Sequence, residues 1–294
     1  MSAGGPTTVT PATLRDWQLP APGSGKGARG EVLVLGGSSG TPGAVLLAGE
    51  SALRAGAGKL VLATVEDVAA ALAVAVPESM VLGLPRTEEG EVSPGSARLL
   101  QPRLETADVL VAGPGVTDPQ AAVDLMAAVL PDVTGSLVLD ALGSAYLTEH
   151  PEGLHHLEGR AVLTVNPTEL ARTAHCDEAE VEEDPWGPAT RVARRSRVVV
   201  LCGGSTKYVV TPDGDAWTVQ GGGPGLGVSG SGDTQAGIVG GLTARGAEPA
   251  QAAVWGAYLH ARAGERLGAA VGVVGYLARE IPEQVPRVLV ELQA

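Results

Sequence analysis

The sequence contains no phenylalanine, and only 4 Trp and 4 Tyr among its 294 residues. Its interior must therefore be filled by Val, Leu and Ala, within an apolar fraction of 44%. Positive charge is also scarce: 20 Lys and Arg stand against 33 Asp and Glu, a net charge of −13. That balance argues against a nucleic-acid partner, which needs a basic face to displace counterions from phosphates. It argues equally against an anionic membrane surface. The two cysteines, Cys176 and Cys202, form no CxxC pair and support neither a disulfide framework nor a zinc site. No basic segment followed by an apolar stretch opens the chain, so no secretory signal is read there. The longest fully apolar run, residues 68–76, stops at Pro77 and is too short to cross a bilayer. With 18% charged residues the chain is not of the disordered class. A cytoplasmic globular protein is the expectation.

What the chain has in abundance is glycine (42) and proline (21), together about a fifth of the residues and a mark of many tight loops. Short aliphatic runs without polar alternation recur at residues 31–35, 59–64, 108–112, 137–140, 161–165 and 197–202. Separated by helical stretches, such runs predict a mainly parallel central sheet covered by helices on both faces. After residue 203 the rhythm changes. Residues 208–211 and 216–220, joined by Pro212-Asp-Gly-Asp215, predict an antiparallel hairpin, followed by helical sequence. Nothing marks an internal boundary, so one α/β domain is predicted over residues 1–294, with residues 1–25 as an irregular N-terminal arm. The acidic run Asp177, Glu178, Glu180, Glu182, Glu183 and Asp184 reads as a solvated face rather than a metal cluster.

Ligands of open parallel sheets bind at the carboxyl ends of the strands. Glycine-rich loops at 36–43, 113–117 and 203–206 follow strands, and a fourth at 221–232 opens a helix predicted over 234–243. Glycines let backbone amides approach phosphate oxygens, so four such loops favour a phosphorylated or nucleotide ligand. Gly225-x-Gly227-x-x-Gly230 has dinucleotide-fingerprint spacing, but it follows a hairpin instead of opening a βαβ unit; GxxxxGK[ST] is absent. The segment Gly230-Ser231-Gly232-Asp233 is more specific. Amides at a helix start, with the helix dipole, form an anion hole. Asp233 beside them is suited to take a proton from a substrate hydroxyl while a phosphoryl group arrives. The alternative is that Asp233 merely caps the helix. Asp140, ending a strand, reads as structural in preference to metal-facing. His260 reads as a satisfied core histidine, His155 and His156 as solvated, and Cys202 as an apolar filler.

Taken in order, several segments resemble the ADP/ATP-dependent NAD(P)H-hydrate dehydratases, a branch of the ribokinase-like superfamily. They are Lys26-Gly27-x-x-Gly30, the stretch 34–64 with GGSSGTPG, AGPGV from Ala112 and LVLDA from Leu137. LTVNPTELAR from Leu163, TPDGD from Thr211, GPGLGVSGSGDTQAGIVGGL from Gly223 and AYLHARAGE from Ala257 complete them. The resemblance implies a ribokinase-like α/β fold and repair of hydrated NADH or NADPH. The terminal phosphoryl group of ADP or ATP passes to the C6 hydroxyl, and phosphate elimination restores the double bond. It further implies that Ala44, Gly115, Asn166 and Asp233 contact the hydrate. Cys202, Gly203, Gly204, Ser205, Thr206 and Gly232 would lie along the nucleotide, with Mg2+ on its phosphates.

The chain departs from the family where Asn166 replaces a usual His, Cys202 a usual Lys, Leu142 an Asp and Ser229 a Gly. Asn166-x-x-Glu169 also matches a segment of the superfamily's sugar and vitamin-precursor kinases, in which Glu organises magnesium. Glu169 is thus a candidate metal residue, or else a helix-start carboxylate. A kinase of a hydroxymethyl substrate and a catalytically silent nucleotide-binding protein are the alternative readings. The small-residue C-terminal helices are consistent with a homo-oligomer.

Overall fold

A computed structural model of the chain describes residues 5–293. In chain order the elements are β1 (Thr7–Thr8), α1 (Pro11–Asp16), β2 (Glu31–Leu35), α2 (Pro42–Ala55), β3 (Lys59–Val65), α3 (Glu66–Ala75) and β4 (Ser79–Leu84). There follow α4 (Ala97–Leu104), β5 (Val109–Ala112), α5 (Pro119–Val129), β6 (Ser136–Asp140), α6 (Ala145–Glu149), β7 (Ala161–Val165) and α7 (Pro167–Ala174). The remainder comprises α8 (Glu178–Glu183), α9 (Trp186–Ser196), β8 (Val199–Cys202), β9 (Thr206–Val210), β10 (Ala216–Gln220), α10 (Ser231–Ala244), α11 (Pro249–Ala270) and α12 (Ile281–Gln293).

The strands form one sheet in the order β1-β10-β9-β8-β7-β6-β5-β2-β3-β4. From β4 to β8 every pairing is parallel, whereas β9 is antiparallel to both β8 and β10. This is the mainly parallel α/β sheet with an antiparallel hairpin that the aliphatic runs predicted. The hairpin begins two residues earlier than expected, at Thr206.

Side chains alternate across a strand, and in β2, β5 and β6 the alternation separates valine from leucine, whereas in β3 Leu60 and Leu62 take the face that valine takes there. Val32 and Val34 of β2 join the core beneath α2, α10, α11 and α12, while Leu33 and Leu35 join the core beneath α4, α5, α7 and α9. Val109 and Val111 repeat the pattern against Leu110, and Val138 against Leu137 and Leu139. The valine face is the tighter one, because α10 lies almost on it. A Cβ at Gly240 would strike Val111, and Cβ atoms at Gly237 and Gly241 would fall on the carbonyls of Ala48 and Ala52 in α2. α10 is consequently buried almost along its length, which fixes the position of its first turn.

Two sequence readings are corrected. The described part of the arm, residues 5–25, is not irregular throughout: Thr7 and Thr8 extend the sheet alongside β10, and α1 follows with a Thr10–Thr13 capping box. Aromatics anchor this arm. Trp17 stacks on Trp217 with ring centroids 5.5 Å apart. The Trp17 carbonyl accepts from Trp255 Nε1 at 2.9 Å and from Gln251 Nε2 at 3.2 Å. The second correction concerns His155, read as solvated but half-buried; His156 is exposed as expected. His155 Nε2 pairs with the Arg195 carbonyl at 2.8 Å and His156 Nε2 with the Leu130 carbonyl at 3.1 Å. The acidic run is as expected, an exposed α8 with only Val181 turned inward.

Candidate active site

A cavity of about 780 Å³ opens where β6, β7 and β8 end and β9 begins, roofed by the 221–230 loop and the first turn of α10. The helix starts at Ser231, three residues before the expected position, because Gly230 takes the cap with φ +90°. That conformation costs a glycine little. Asp233 therefore sits inside the first turn and is not the cap residue, and it makes no capping hydrogen bond. The capping alternative is thereby removed. Of the amides around it, Ser231 N donates to the Val228 carbonyl at 3.1 Å. Those of Gly230, Gly232 and Asp233 have no acceptor among the described residues. Unpaired donors at a helix start, aligned with the dipole, are an anion site.

Three carboxylates share the cavity wall: Asp140 at the end of β6, Glu169 in the first turn of α7, and Asp233. Asp140 accepts from Thr164 Oγ1 at 2.6 Å, and burial, then the charges of Asp233 and Glu169, push it well above the usual carboxylate range. Asp140 is thus part of the site, where the sequence favoured a structural role. Burial, then the charge of Glu169, raises Asp233 to about 6. Glu169 is raised by burial and locked in a capping box: its Oε2 accepts from Asn166 N, and its amide donates to Asn166 Oδ1, each at 2.9 Å. One oxygen of Glu169 caps the helix, and the residue also lines the cavity.

The opposite wall carries residues that the sequence reading did not single out as ligands. Lys207 of β9 is 2% exposed, and burial brings its ammonium down to about 8, against the charge of Glu265. His260 of α11 is likewise buried; burial and the charge of Lys207 bring it down to about 3. Its Nε2 lies 3.0 Å from Ser231 Oγ and 2.9 Å from the Ser231 carbonyl, while Nδ1 is buried without a partner. It is a core histidine satisfied on one side only. Neither Lys207 nor His260 carried a local signal in the sequence, because each owes its place on the cavity to strand order and helix packing.

The expected site residues divide into two groups. Gly230, Ser231, Gly232, Asp233, Asn166, Glu169, Gly203, Gly204 and Ser205 line the cavity together. Ala44, Gly115, Cys202 and Thr206 are not on its wall. Cys202 is buried beneath it, with its thiol pushed up to about 12 by burial and then by Glu169. Ala44 and Gly115 meet instead at the neighbouring loops after β2 and β5, where the strand order reverses. Gly115 (φ +74°) presses against Thr41 and Ala44, and its carbonyl accepts from Thr41 Oγ1 at 2.5 Å. Among the described residues no three His, Cys, Asp or Glu side chains form a ready metal cage.

The sequence profile of the NAD(P)H-hydrate dehydratases matches residues 32–287. The chain belongs to that family. It is 45% identical over 282 residues to the ADP-dependent (S)-NAD(P)H-hydrate dehydratase of Xanthomonas campestris pv. campestris, covering 96% of each chain. The dehydratase of the same name from Bacillus subtilis is 30% identical over 265 residues, covering 90% of this chain and 91% of that one. The crystal structure of the Bacillus subtilis ADP/ATP-dependent dehydratase, co-crystallised with ATP and Mg2+, superposes with a TM-score of 0.80 at 25% identity. It covers 99% of this chain and 100% of that one. A ribokinase-like superfamily protein from Enterococcus faecalis, at 24% identity, gives a TM-score of 0.81 over 97% and 96% of the two chains. That likeness is one of fold and confirms the predicted ribokinase-like architecture. Family members also include bifunctional repair enzymes, such as that of Escherichia coli, of whose length this chain spans 51%. No helix among the described residues is long and apolar enough to cross a membrane.

Proposed function

We propose that this chain is an ADP-dependent NAD(P)H-hydrate dehydratase acting as one ribokinase-like domain. The observation that carries the reading is Asp233, a desolvated carboxylate among three unpartnered amides in a cavity also lined by Asn166 and the 203–205 loop. A carboxylate with its proton affinity raised toward neutrality is a competent general base. Asp233 takes the proton of the substrate's C6 hydroxyl as that oxygen forms its bond to the terminal phosphorus; the bridging P–O bond breaks and AMP (from ADP) or ADP (from ATP) leaves with its electron pair. The amides of Gly230, Gly232 and Asp233 hold the negative oxygens of the phosphoryl group in transit, so the charge developing there meets fixed dipoles. Phosphate then leaves with the C–O bonding pair, the neighbouring ring carbon gives up a proton to water, and the C–H pair becomes the restored double bond.

The residues fit a divalent cation. Asp140 is raised by the charges of Asp233 and Glu169, and Asp233 by that of Glu169, so a positive charge among them is favourable; Mg2+ characteristically uses one or two carboxylates plus substrate phosphates. Glu169 and Asp140 would hold it, and when bound it neutralises phosphate charge. Gly203, Gly204 and Ser205 would lie along the nucleotide, with Cys202 and Thr206 supporting that loop, while Ala44, Gly115 and Asn166 would face the hydrate. The names of the relatives support ADP as cosubstrate. We further assign the protein to the cytoplasm and to a homo-oligomer, which light scattering would check.

The direct test is to incubate NADH hydrate and NADPH hydrate with ADP, or with ATP, and follow near-ultraviolet absorbance. Recovery with a nucleotide, and none without it, is the expected result. A stable phosphorylated product from a hydroxymethyl compound, with no recovery from hydrate, would favour the kinase instead.

A further inference from the structure

We propose that Lys207 is the cation that receives the polyphosphate of the nucleotide in this cavity. The inference rests on the nucleotide reading above and adds a residue to it. Lys207 enters from β9, opposite Val219 and on the same face as Val209, so its alkyl stem packs toward α10 and α11 while its end lines the cavity. Every other Lys or Arg among the described residues is off the cavity wall, and the remaining formal charges there are the carboxylates of Asp140, Glu169 and Asp233.

A buried ammonium is costly unless something anionic meets it. No carboxylate among the described residues lies within ion-pairing distance of Lys207. Glu265, whose field it feels, is engaged elsewhere: Oε1 accepts from Gly222 N at 3.3 Å and Oε2 pairs with Arg262 Nη1 at 2.7 Å. The neighbouring His260 is neutral and offers no charge, and it is bonded to Ser231 in the first turn of α10. Lys207 and the unpartnered amides of Gly230 and Gly232 therefore line one cavity, a point charge and oriented donors with one complementary guest. That guest is a di- or triphosphate, since a lysine binds phosphate as a point charge and needs no fixed geometry. A purely structural role would be served as well by Met, which fills the same volume without desolvating a charge.

Calorimetric titration of ADP and of adenosine into wild type, Lys207→Met and Lys207→Arg tests this. Lys207→Met should weaken ADP at least tenfold and leave adenosine within threefold; Lys207→Arg should restore part of the loss. In steady state the KM for ADP rises and that for the hydrate does not. Binding should also draw a proton at pH 8.5 in wild type and none in Lys207→Met, read from the buffer dependence of the enthalpy. The other ionisable groups facing Lys207 are His260 and Glu265 of α11, and across the cavity Asp233, Glu169 and Asp140. All five are common to both proteins.

Lys207→Met should melt no lower than wild type, and Lys207→Gln gives the same ADP-to-adenosine split should Met disturb the packing. Unchanged ADP affinity in a folded variant, or equal losses for ADP and adenosine, overturns the assignment alone. A wild-type protein that binds no adenine nucleotide overturns it together with the function proposed above.

Discussion

The loop after β2, residues 36–43, closes on the protein. Gly37 N donates to the Pro114 carbonyl at 2.7 Å, Ser39 N to Gly90 at 2.9 Å and Thr41 N to Ser38 at 3.3 Å. Gly40 N uses Ser38 Oγ, and Ser38 Oγ pairs with Thr41 Oγ1 at 2.7 Å. The loop ahead of α10 is just as rich in glycine, yet the amides of Gly230, Gly232 and Asp233 have no acceptor among the described residues. One loop spends its donors on shape; the other keeps them for a guest. Glycine content alone does not separate the two, and a hydrogen-bond account of each amide does.

The largest effect that would break this contrast is at Asp233. Asp233→Asn should lower turnover by about 10²–10⁴-fold, the usual worth of a general base. ADP affinity should survive, because the amides do. Turnover within threefold of wild type would remove the base from the mechanism. Next comes the seat of the open loop. A side chain at Gly241 falls on the Ala52 carbonyl, so Gly241→Val should cost roughly 3 kcal/mol or more by overpacking, visible in the urea midpoint. An unchanged midpoint would mean that α10 is not wedged against α2.

A third prediction follows from the displaced proton affinity. Asp233 rises from its ordinary 3.8 to about 6 on folding. The native state therefore holds that proton more tightly than the unfolded chain, and loses stability as pH climbs from about 4 through about 6. Asp233→Asn removes this loss. It should be more stable than wild type at pH 8, by on the order of 1–3 kcal/mol, with the gain vanishing below about pH 4. Denaturant curves at the two pH values decide it; a variant weaker than wild type at pH 8 reverses the sign. The smallest effect belongs to the closed loop. Glu91 is buried beside it, bridged to it through Ser38, and accepts from Thr117 N at 3.0 Å and from Thr117 Oγ1. Glu91→Gln should cost about 1 kcal/mol, the net worth of one such bond, and raise the KM for hydrate while leaving that for ADP alone. A shift confined to ADP would assign the closed loop to the nucleotide side.

Most of the sheet was legible, because β2, β3, β5, β6, β7 and β8 are buried on both faces and must be continuously aliphatic. The edge strand β4 and helix α3 were not: Val74 is 82% exposed, so the run 68–76 carries apolar residues that no core demands. Asp233, the proposed base, and the glycines around it were readable from spacing, since a helix start can be located along the chain. Lys207, His260 and Asp140 escaped because what makes them chemical is who faces them. Asp140 and Lys207 belong to strands on either side of β7 and β8, a relation set by the strand order and by nothing local in the sequence.

The arm that lies along β10 has a consequence for biosynthesis. Trp17 finds the Trp255 indole 238 residues later. At about 5–20 residues per second a ribosome needs roughly 10 to 50 s to reach that partner. Throughout that interval the segment that carries Trp17 waits undocked from its partner in α11. The seam it finally closes joins segments 238 residues apart, so it forms only once α11 has been made.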